Sequence, residues 1–252
     1  MHILVTNDDG VKAPGLLALA QAMKPFGKVS VVAPDHNWSA AGHSKTLHRP
    51  IRVQKVRLKD GTEALATSGA PSDCVAMSLL GMLEPVDLVV SGINPYANLG
   101  SDVTYSGTVT AAMEAVIAGK IGLAFSLNGP EKGKVDYTPA GMIAKRVVER
   151  VIEKGLPPAV VLSVNIPYLP VDKIKGFSIT RRGQRIYHDK LVPHWNLWGR
   201  TYYRIGGKPP TGVPEDGTDI GALEQGYVSI TPLELDMTAY HFMDELKGWR
   251  WD

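Results

Sequence analysis

After Met1, the sequence reads His2-Ile3-Leu4-Val5-Thr6 and continues directly into Asn7-Asp8-Asp9-Gly10. The apolar run in the first of these segments is short and unalternating, which is typical of a strand that is buried on both faces. An open α/β sheet binds its ligands at the carboxyl ends of such strands. Because two adjacent carboxylates repel each other, a pair at this position indicates a hard divalent cation, which neutralises the charge. The opening stretch therefore predicts an α/β sheet with a cation site at Asp8 and Asp9.

The same two carboxylates have a plainer interpretation as part of a capped turn that opens the next helix, because Asp and Gly are common in turns. Gly10 permits a tight turn in which both carboxylates can point into one crevice instead of to opposite faces. The position of the pair directly after a buried strand favours the functional interpretation.

Short apolar runs alternate with amphipathic stretches through the first two thirds of the chain. Alternation of strands and helices indicates βαβ units and a mainly parallel sheet. The predicted strands lie at residues 29–33, 86–90, 123–126 and 160–164, and the predicted helices at 16–24, 72–83, 108–118 and 140–153.

The character of the chain changes beyond about residue 169. Here we predict a strand at 177–181, an extended hairpin at 185–204, a Gly/Pro-rich loop at 206–217 and a last strand at 226–231. A projecting hairpin cannot bury both of its faces alone, so it often packs on a partner subunit. We therefore expect one integrated domain with two parts, a core at residues 1–168 and a hairpin and C-terminal oligomerisation segment at residues 169–252.

The composition argues against several classes of protein. The chain has 252 residues, of which 44% are hydrophobic and 21% charged, as in an ordinary globular protein. The formal net charge of +2 gives no electrostatic case for a polymeric nucleic acid or a membrane as partner. Cys74 is the only cysteine, which rules out an intrachain disulfide and fits a reducing compartment. Met1 leads straight into a strand and no apolar run approaches the roughly 20 residues of a membrane span, so we expect a cytoplasmic protein.

Two polar loops follow later predicted strands. The loop at 33–44 contains Ser39 and other small polar groups that could supply neutral oxygens to a cation, although an ordinary surface loop explains it equally well. The loop at 91–100 contains Asn94, whose carbonyl oxygen suits a hard cation, and Asn98, which could bond a substrate oxygen. The nearby histidines lack the spacing of zinc ligands and are interpreted as polar surface side chains: His36, His43 and His48.

A third polar segment, Tyr105-Ser106-Gly107-Thr108, lies at the predicted start of a helix. Unpaired backbone N–H groups and the positive end of the helix dipole favour an anion there. Gly107 lets a phosphate approach the backbone closely, and Ser106 and Thr108 add hydroxyl groups. The alternative is simple N-capping by Ser or Thr, which is found on many helices.

Together, a hard-cation site and an anion-binding helix start indicate phosphoryl transfer. The cation polarises a phosphoryl oxygen, and fixed donors stabilise the charge that develops. Neither a Walker-type Gly-x-x-x-x-Gly-Lys-Ser/Thr motif nor a Gly-x-Gly-x-x-Gly motif follows the first strand, which disfavours nucleoside-triphosphate and dinucleotide folds.

The motifs, taken in order, resemble those of the SurE-type survival proteins, a family of 5′/3′-nucleotidases. The resemblance covers nearly the whole chain, and the ordered set is highly specific. It comprises Ile3 to Gly10, Ala33-Pro34-Asp35, Ser39 to Ser44, Asp73-Cys74-Val75, Ser91-Gly92-Ile93-Asn94, Tyr105 to Val109, Gly217-Thr218-Asp219 and Gly226 to Leu233.

The resemblance implies a Rossmann-like α/β core, one divalent cation (Mg²⁺ or Mn²⁺) and hydrolysis of nucleoside monophosphates. The catalytic pair it implies is Asp8 and Asp9, and the cation ligands are Asp8, Asp9, Ser39 and Asn94. The residues that it places in the phosphate pocket are Asn98, Ser106, Gly107 and Thr108. It also implies a homodimer or homotetramer whose hairpin and tail are exchanged between subunits. Short polyphosphate is a further substrate to test.

The sequence departs from the family pattern close to the expected pocket. The usual Asn-x-Gly-x-Asn loop is replaced by a segment in which Pro95-Tyr96-Ala97 separates the two asparagines, and Trp38 stands where a polar residue is common. Ala97 adopts a left-handed backbone less readily than glycine does. These differences leave the expected cation ligands in place and bear on substrate preference.

The residues leave two other functions open. An aspartyl-phosphate phosphatase of the haloacid dehalogenase type normally needs Asp-x-Asp after its strand, whereas Asp8 and Asp9 are contiguous. The second alternative is a metal-dependent nucleotide-binding module without catalysis. Within the nucleotidase hypothesis, the sequence does not decide whether Asp8 attacks phosphorus directly or a water molecule does.

Overall fold

The structure is a computed structural model that describes residues 1–130, 132–195 and 201–251. Its strands are β1 (His2–Thr6), β2 (Lys28–Pro34), β3 (Val53–Arg57), β4 (Glu63–Thr67), β5 (Leu88–Asn94), β6 (Ile121–Asn128), β7 (Val160–Pro167), β8 (Phe177–Ile179), β9 (Arg185–Trp195), β10 (Thr201–Gly212) and β11 (Val228–Glu234). Its α-helices are α1 (Pro14–Met23), α2 (Pro71–Met77), α3 (Gly107–Ile117), α4 (Thr138–Lys154), α5 (Asp219–Glu224) and α6 (Tyr240–Lys247). None of the described helices is long and apolar enough to cross a membrane.

Nine strands form one sheet in the order β3-β4-β2-β1-β5-β6-β7-β11-β8. The six strands from β4 to β7 are mutually parallel, and the pairs β3–β4 and β7–β11 are antiparallel. In β1, Val5 pairs with Val31 of β2 on one side and with Val90 of β5 on the other. The strand order reverses between β1 and β5, and ligands bind at such a reversal, beyond the carboxyl ends of the strands. The predicted mainly parallel sheet is confirmed.

Helices cover both faces of the sheet, which explains why β1 is an unbroken apolar run. Ile3 and Val5 pack in the cluster that contains buried side chains of α1 and α4. Leu4 points to the opposite face and packs with Cys74 of α2 and Ala111 of α3. Successive strand residues face opposite sides, so a strand between two helical layers needs apolar residues at every position.

Two of the predicted elements differ from the observed ones. The helix predicted at residues 72–83 ends at Met77 as α2 and continues as one π-helical turn over Ser78–Met82, in which Gly81 has a non-helical φ of 120°. The loop predicted at 206–217 is wrong over its first half, because β10 continues to Gly212 and pairs with β9. The two-stranded ribbon tolerates prolines because the pairing register shifts between Lys208 and Thr211, where Pro209 and Pro210 lie.

Other elements were not predicted, namely strands β3 and β4 and helices α5 and α6. The predicted strand at 177–181 is confirmed over Phe177–Ile179, and Arg181 continues it as an isolated bridge to Thr218. The predicted hairpin is confirmed as β9 and β10, and the residues at its tip, 196–200, lie outside the described part of the chain.

Candidate functional site

A turn held by Asn7 presents the two aspartates at the carboxyl end of β1. The fully buried Asn7 side chain donates from Nδ2 to the Gly10 carbonyl at 3.1 Å and accepts from the Gly10 amide at 3.2 Å. Gly10 has a φ of 102°, which favours glycine. The Val11 amide then donates to the Pro34 carbonyl at the end of β2, at 2.7 Å. The turn is therefore fixed from both sides.

The Asp8 carboxyl group is buried against the N-terminus of α3. Asp8 is only 4% exposed. Thr108 Oγ1 donates a hydrogen bond to Asp8 Oδ1 at 2.5 Å. Burial raises the pKa of Asp8, and this effect outweighs the hydrogen bonds from the Thr108 hydroxyl and from the backbone amides of Thr108 and Gly107, which lower it. The first N–H groups of α3, which carry the positive end of its dipole, thus lie beside Asp8.

Gly107 allows this close contact between α3 and Asp8. A Cβ atom at Gly107 would lie 2.7 Å from Asp8 Cβ and 3.0 Å from Asp8 Oδ2. Both distances are shorter than an ordinary van der Waals contact, so a larger residue would push the carboxylate and the helix start apart. The sequence hypothesis gave Gly107 the role of admitting a phosphate, and the structure places it against Asp8.

Asp9 is partly buried next to Asp8. Burial, reinforced by the negative charge of Asp8, raises the pKa of Asp9 to about 7. A cation could replace the protons of such a carboxylate pair, because a positive charge offsets both the repulsion between the carboxylates and the cost of burying them.

The loop that carries Ser39 is tied to the same turn. The Trp38 amide donates to the Asp8 carbonyl at 2.8 Å, and the Ser39 amide donates to Asn37 Oδ1 at 2.6 Å. Ser39 itself is exposed, whereas Trp38 Nε1 is buried with no hydrogen-bond partner among the described residues. Ser39 therefore follows directly after a backbone contact with the first aspartate.

Asn94 ends β5, the neighbour of β1. Its Nδ2 donates to the Tyr96 carbonyl at 2.6 Å, so the Oδ1 oxygen is the atom that can bind a cation. The pairing of β5 with β6 shifts in register between Ser91 and Asn94, and Asn94 lies opposite Ser126. Such an irregularity changes the direction of a side chain at a strand end, as is common beside functional sites.

Asn98 is held in a network of polar groups at the ends of β6 and β7. Its Nδ2 donates to Ser126 Oγ at 2.7 Å, and its backbone amide donates to Asn165 Oδ1 at 2.8 Å. Asn165 Nδ2 returns a bond to the Asn98 carbonyl at 3.1 Å. An amide nitrogen carries two protons, so Asn98 Nδ2 could donate a second bond to an oxygen of a ligand. Sequence reasoning missed Ser126 and Asn165, although Ser126 ends one predicted strand and Asn165 directly follows another.

Ser106 is the N-cap of α3. Its Oγ accepts from the Val109 amide at 3.2 Å, which is the capping role given by the plainer interpretation of this segment. Because Ser106 Oγ is the acceptor in this bond, its own hydroxyl proton is not used and could be donated to an anion. The structure thus gives Thr108 and Ser106 different tasks, because Thr108 binds Asp8 and Ser106 caps the helix.

The donor set of the site fits a hard cation. Among the described residues, no group of three or more His, Cys, Asp or Glu side chains could hold a metal ion. The donor set expected from the sequence instead consists of two carboxylates, the hydroxyl of Ser39 and the amide oxygen of Asn94. Oxygen-only ligands of this kind suit Mg²⁺ or Mn²⁺ and disfavour zinc, which is usually held by Cys and His.

Comparison with known proteins identifies relatives over the whole chain. A family model described as "Survival protein SurE" matches residues 3–189. The chain is 47% identical to the 5′-nucleotidase SurE of Chloroflexus aggregans, over 100% of both chains, and 47% identical to that of Herpetosiphon aurantiacus, over 100% of this chain and 99% of the relative. The crystal structure of the Sure protein from Aquifex aeolicus is similar, with a TM-score of 0.84, 39% identity and coverage of 98% of each chain.

Proposed function

Because this chain belongs to the SurE family, whose curated relatives are named 5′-nucleotidases, we propose that it hydrolyses nucleoside 5′- and 3′-monophosphates to nucleoside and phosphate with the help of one divalent cation. The observation that carries this proposal is the contact of the Asp8 carboxylate with the first residues of α3, next to the second carboxylate of Asp9. A cation held by these carboxylates would lie next to the positive end of the α3 dipole, and a phosphomonoester needs both kinds of positive charge.

The residues that would hold the cation are Asp8, Asp9, Ser39 and Asn94. When bound, Mg²⁺ or Mn²⁺ supplies charge that polarises a phosphoryl oxygen and offsets the negative charge of the ester. The Asn98 amide and the Ser106 hydroxyl would donate to the remaining phosphoryl oxygens, and the positive end of the α3 dipole would favour the negative charge there.

The Thr108 hydroxyl holds one oxygen of the Asp8 carboxyl group and so restricts its rotamer. Two routes to hydrolysis start from this geometry. In the first, Asp8 attacks phosphorus, the ester oxygen takes a proton from solvent and leaves as the nucleoside hydroxyl, and water then cleaves the phospho-aspartate to release phosphate. In the second, Asp8 takes a proton from the water that attacks phosphorus, and the ester oxygen likewise leaves as the nucleoside hydroxyl with a proton from solvent. Trapping of a phospho-aspartate distinguishes the first from the second.

The hairpin and the C-terminal segment, residues 169–252, support the proposal of a homodimer or homotetramer. Large apolar side chains of this segment are exposed in the single chain, among them Leu191 at 67%, Ile205 at 77%, Met237 at 91% and Trp251 at 74%. Exposed apolar surface on a projecting ribbon favours burial against a second copy. The proposed location is the cytoplasm, and short polyphosphate is a proposed second substrate.

The test measures phosphate release from 5′-AMP, 3′-AMP, short polyphosphate and an aryl phosphate after removal of metal by a chelator, with each divalent cation added in turn. We expect no turnover without a cation, turnover with Mn²⁺ or Mg²⁺, and a loss of at least about 100-fold in Asp8→Asn while its circular dichroism is unchanged. The exposed Asp172 gives the matched control Asp172→Asn, which should keep full activity. Full activity in Asp8→Asn would refute the assignment, and tight nucleotide binding without turnover would favour the binding module.

A further inference from the structure

Glu114 is a buried carboxylate outside the residues assigned so far. It lies in α3, the helix whose N-terminus contacts Asp8, and is only 5% exposed. Both of its carboxylate oxygens are engaged by the loop that carries Ser39. Lys45 Nζ lies 2.7 Å from Oε1, and His43 Nε2 lies 3.1 Å from Oε2. A buried carboxylate is costly unless it is paired, so the fold retains Glu114 with two partners from one loop.

Further bonds fasten the same loop to α3 and α2. The Gly42 amide donates to the Tyr105 carbonyl at 3.0 Å, and Thr110 Oγ1 donates to the Gly42 carbonyl at 3.1 Å. The Thr46 amide donates to Oδ1 of Asp73, a buried residue at the start of α2, at 2.9 Å. Residues 42–46 are therefore bound along the helical layer.

Ser39 lies between two fixed points of this loop. On one side, the Trp38 amide is bound to the Asp8 carbonyl. On the other side, the Gly42 backbone is bound to Tyr105 and Thr110, and the next residue, His43, contacts Glu114. The segment between these points is exposed at Ser39 and Ala40, and Ala40 has a positive φ of 60°. A short exposed segment with an unfavourable backbone conformation depends on its two ends for its position.

We propose that Glu114 is a positioning residue for the cation site. Through its contacts with His43 and Lys45, Glu114 holds the loop so that Ser39 stays within reach of the cation. This inference rests on the proposed function, because it takes Ser39 as a cation ligand. Glu114 is not one of the proposed cation ligands, and its side chain bonds to His43 and Lys45. Its effect passes through the loop, as with outer residues that orient metal ligands and whose loss weakens metal binding by about 10- to 100-fold.

The test is a double-mutant cycle on Mn²⁺ affinity, measured by electron paramagnetic resonance without substrate. The variants are Ser39→Ala, Glu114→Gln and the two combined. We expect each single variant to bind Mn²⁺ about tenfold more weakly than the parent chain. The combined variant should bind no more weakly than Ser39→Ala alone, because Glu114 acts only through Ser39. Additive losses would overturn the inference, since they would mean that Glu114 supports the fold independently of Ser39.

Two further measurements separate positioning from general destabilisation. Lys45→Gln removes the ion pair between the loop and Glu114 by changing the exposed partner. It should therefore weaken Mn²⁺ binding, and this result does not depend on whether Glu114→Gln folds well. Glu153→Gln removes an ion pair with Arg150 on α4 and should leave Mn²⁺ binding unchanged. Amide exchange in residues 38–44 should rise in Glu114→Gln and not in Glu153→Gln. Normal Mn²⁺ binding by both Glu114→Gln and Lys45→Gln would overturn this inference alone, whereas absence of Mn²⁺ binding by the parent chain would overturn the proposed function as well.

Discussion

Thr108 Oγ1 donates a hydrogen bond of 2.5 Å to Asp8 Oδ1, across 100 positions of the chain. The bond joins the first turn of α3 to the carboxyl end of β1. It holds the carboxyl group with a neutral donor, and the second oxygen, Oδ2, lies close to Gly107. The structure thereby gives Thr108 a role in orienting Asp8.

The first prediction concerns this bond. Thr108→Val keeps the shape of the side chain and removes the hydroxyl. A hydrogen bond to a charged group contributes about 1.5 to 3 kcal/mol, so we expect kcat with Mn²⁺ and 5′-AMP to fall by roughly 10- to 100-fold. Thr104→Val is the control, because Thr104 is exposed and donates to the Ser101 carbonyl instead. Equal kcat values for the two variants would contradict the role of Thr108.

The second prediction concerns Gly107. In Gly107→Ala the new methyl group would meet Asp8 Cβ at 2.7 Å, so Asp8 or the start of α3 must move. We expect a loss of phosphate release of about 100-fold or more and a lower Tm, measured by activity assay and by thermal unfolding. Gly141→Ala is the matched control in α4, where the methyl group would lie at an ordinary 3.6 Å from the Ala18 carbonyl oxygen. That variant should be active and slightly more stable, since Ala is the better helix former.

The third prediction concerns the stability of the metal-free protein. The pKa of Asp9 is raised from an ordinary 3.8 to about 7 in the folded chain. A raised pKa means that the folded state holds the proton more tightly than the unfolded state. This stabilisation is complete below pH 3.8 and is lost as the pH rises through about 7. Asp9→Asn should therefore raise the Tm of the metal-free protein at pH 8, by about 2–4 °C for each kcal/mol gained.

Thermal unfolding with a chelator present checks this expectation. At pH 4 the two proteins should unfold at similar temperatures, because Asp9 is then largely protonated. With Mn²⁺ at pH 8 the order should reverse, since only the parent chain keeps both carboxylates for the cation. A Tm difference that does not change between pH 4 and pH 8 would show that Asp9 has an ordinary pKa.

The fourth prediction concerns Tyr96, which lies between Asn94 and Asn98 and is 53% exposed. An exposed aromatic ring beside a phosphate site can stack on a nucleobase, a contact that contributes about 1–3 kcal/mol. We expect Tyr96→Ala to raise KM for 5′-AMP about tenfold and to leave KM for ribose 5-phosphate, which has no base, unchanged. Phe177→Ala, an exposed aromatic residue of β8, should change neither KM. Equal increases for both substrates would assign Tyr96 to loop structure and not to base recognition.

Much of the fold could be predicted from single segments. The run Ile3-Leu4-Val5 indicates a strand covered on both faces, because burial demands apolar residues at each position. The prediction of a loop at 206–217 was wrong over its first half, because a contact between distant segments outweighed the local pattern. Pro209 and Pro210 disfavour a strand locally, but pairing with β9 along an exposed ribbon outweighs that preference.

The sequence by itself determined the layered α/β architecture and the aspartate pair at the exit of β1, because both depend on patterns within a few residues. Only the tertiary structure decided what surrounds that pair. The contacts of Asp8 with Thr108 and Gly107, of Asn98 with Asn165, and of Glu114 with His43 and Lys45 join residues far apart in the chain. Spacing along a chain carries no information on such contacts, because strand order and helix packing determine which polar groups share a buried site.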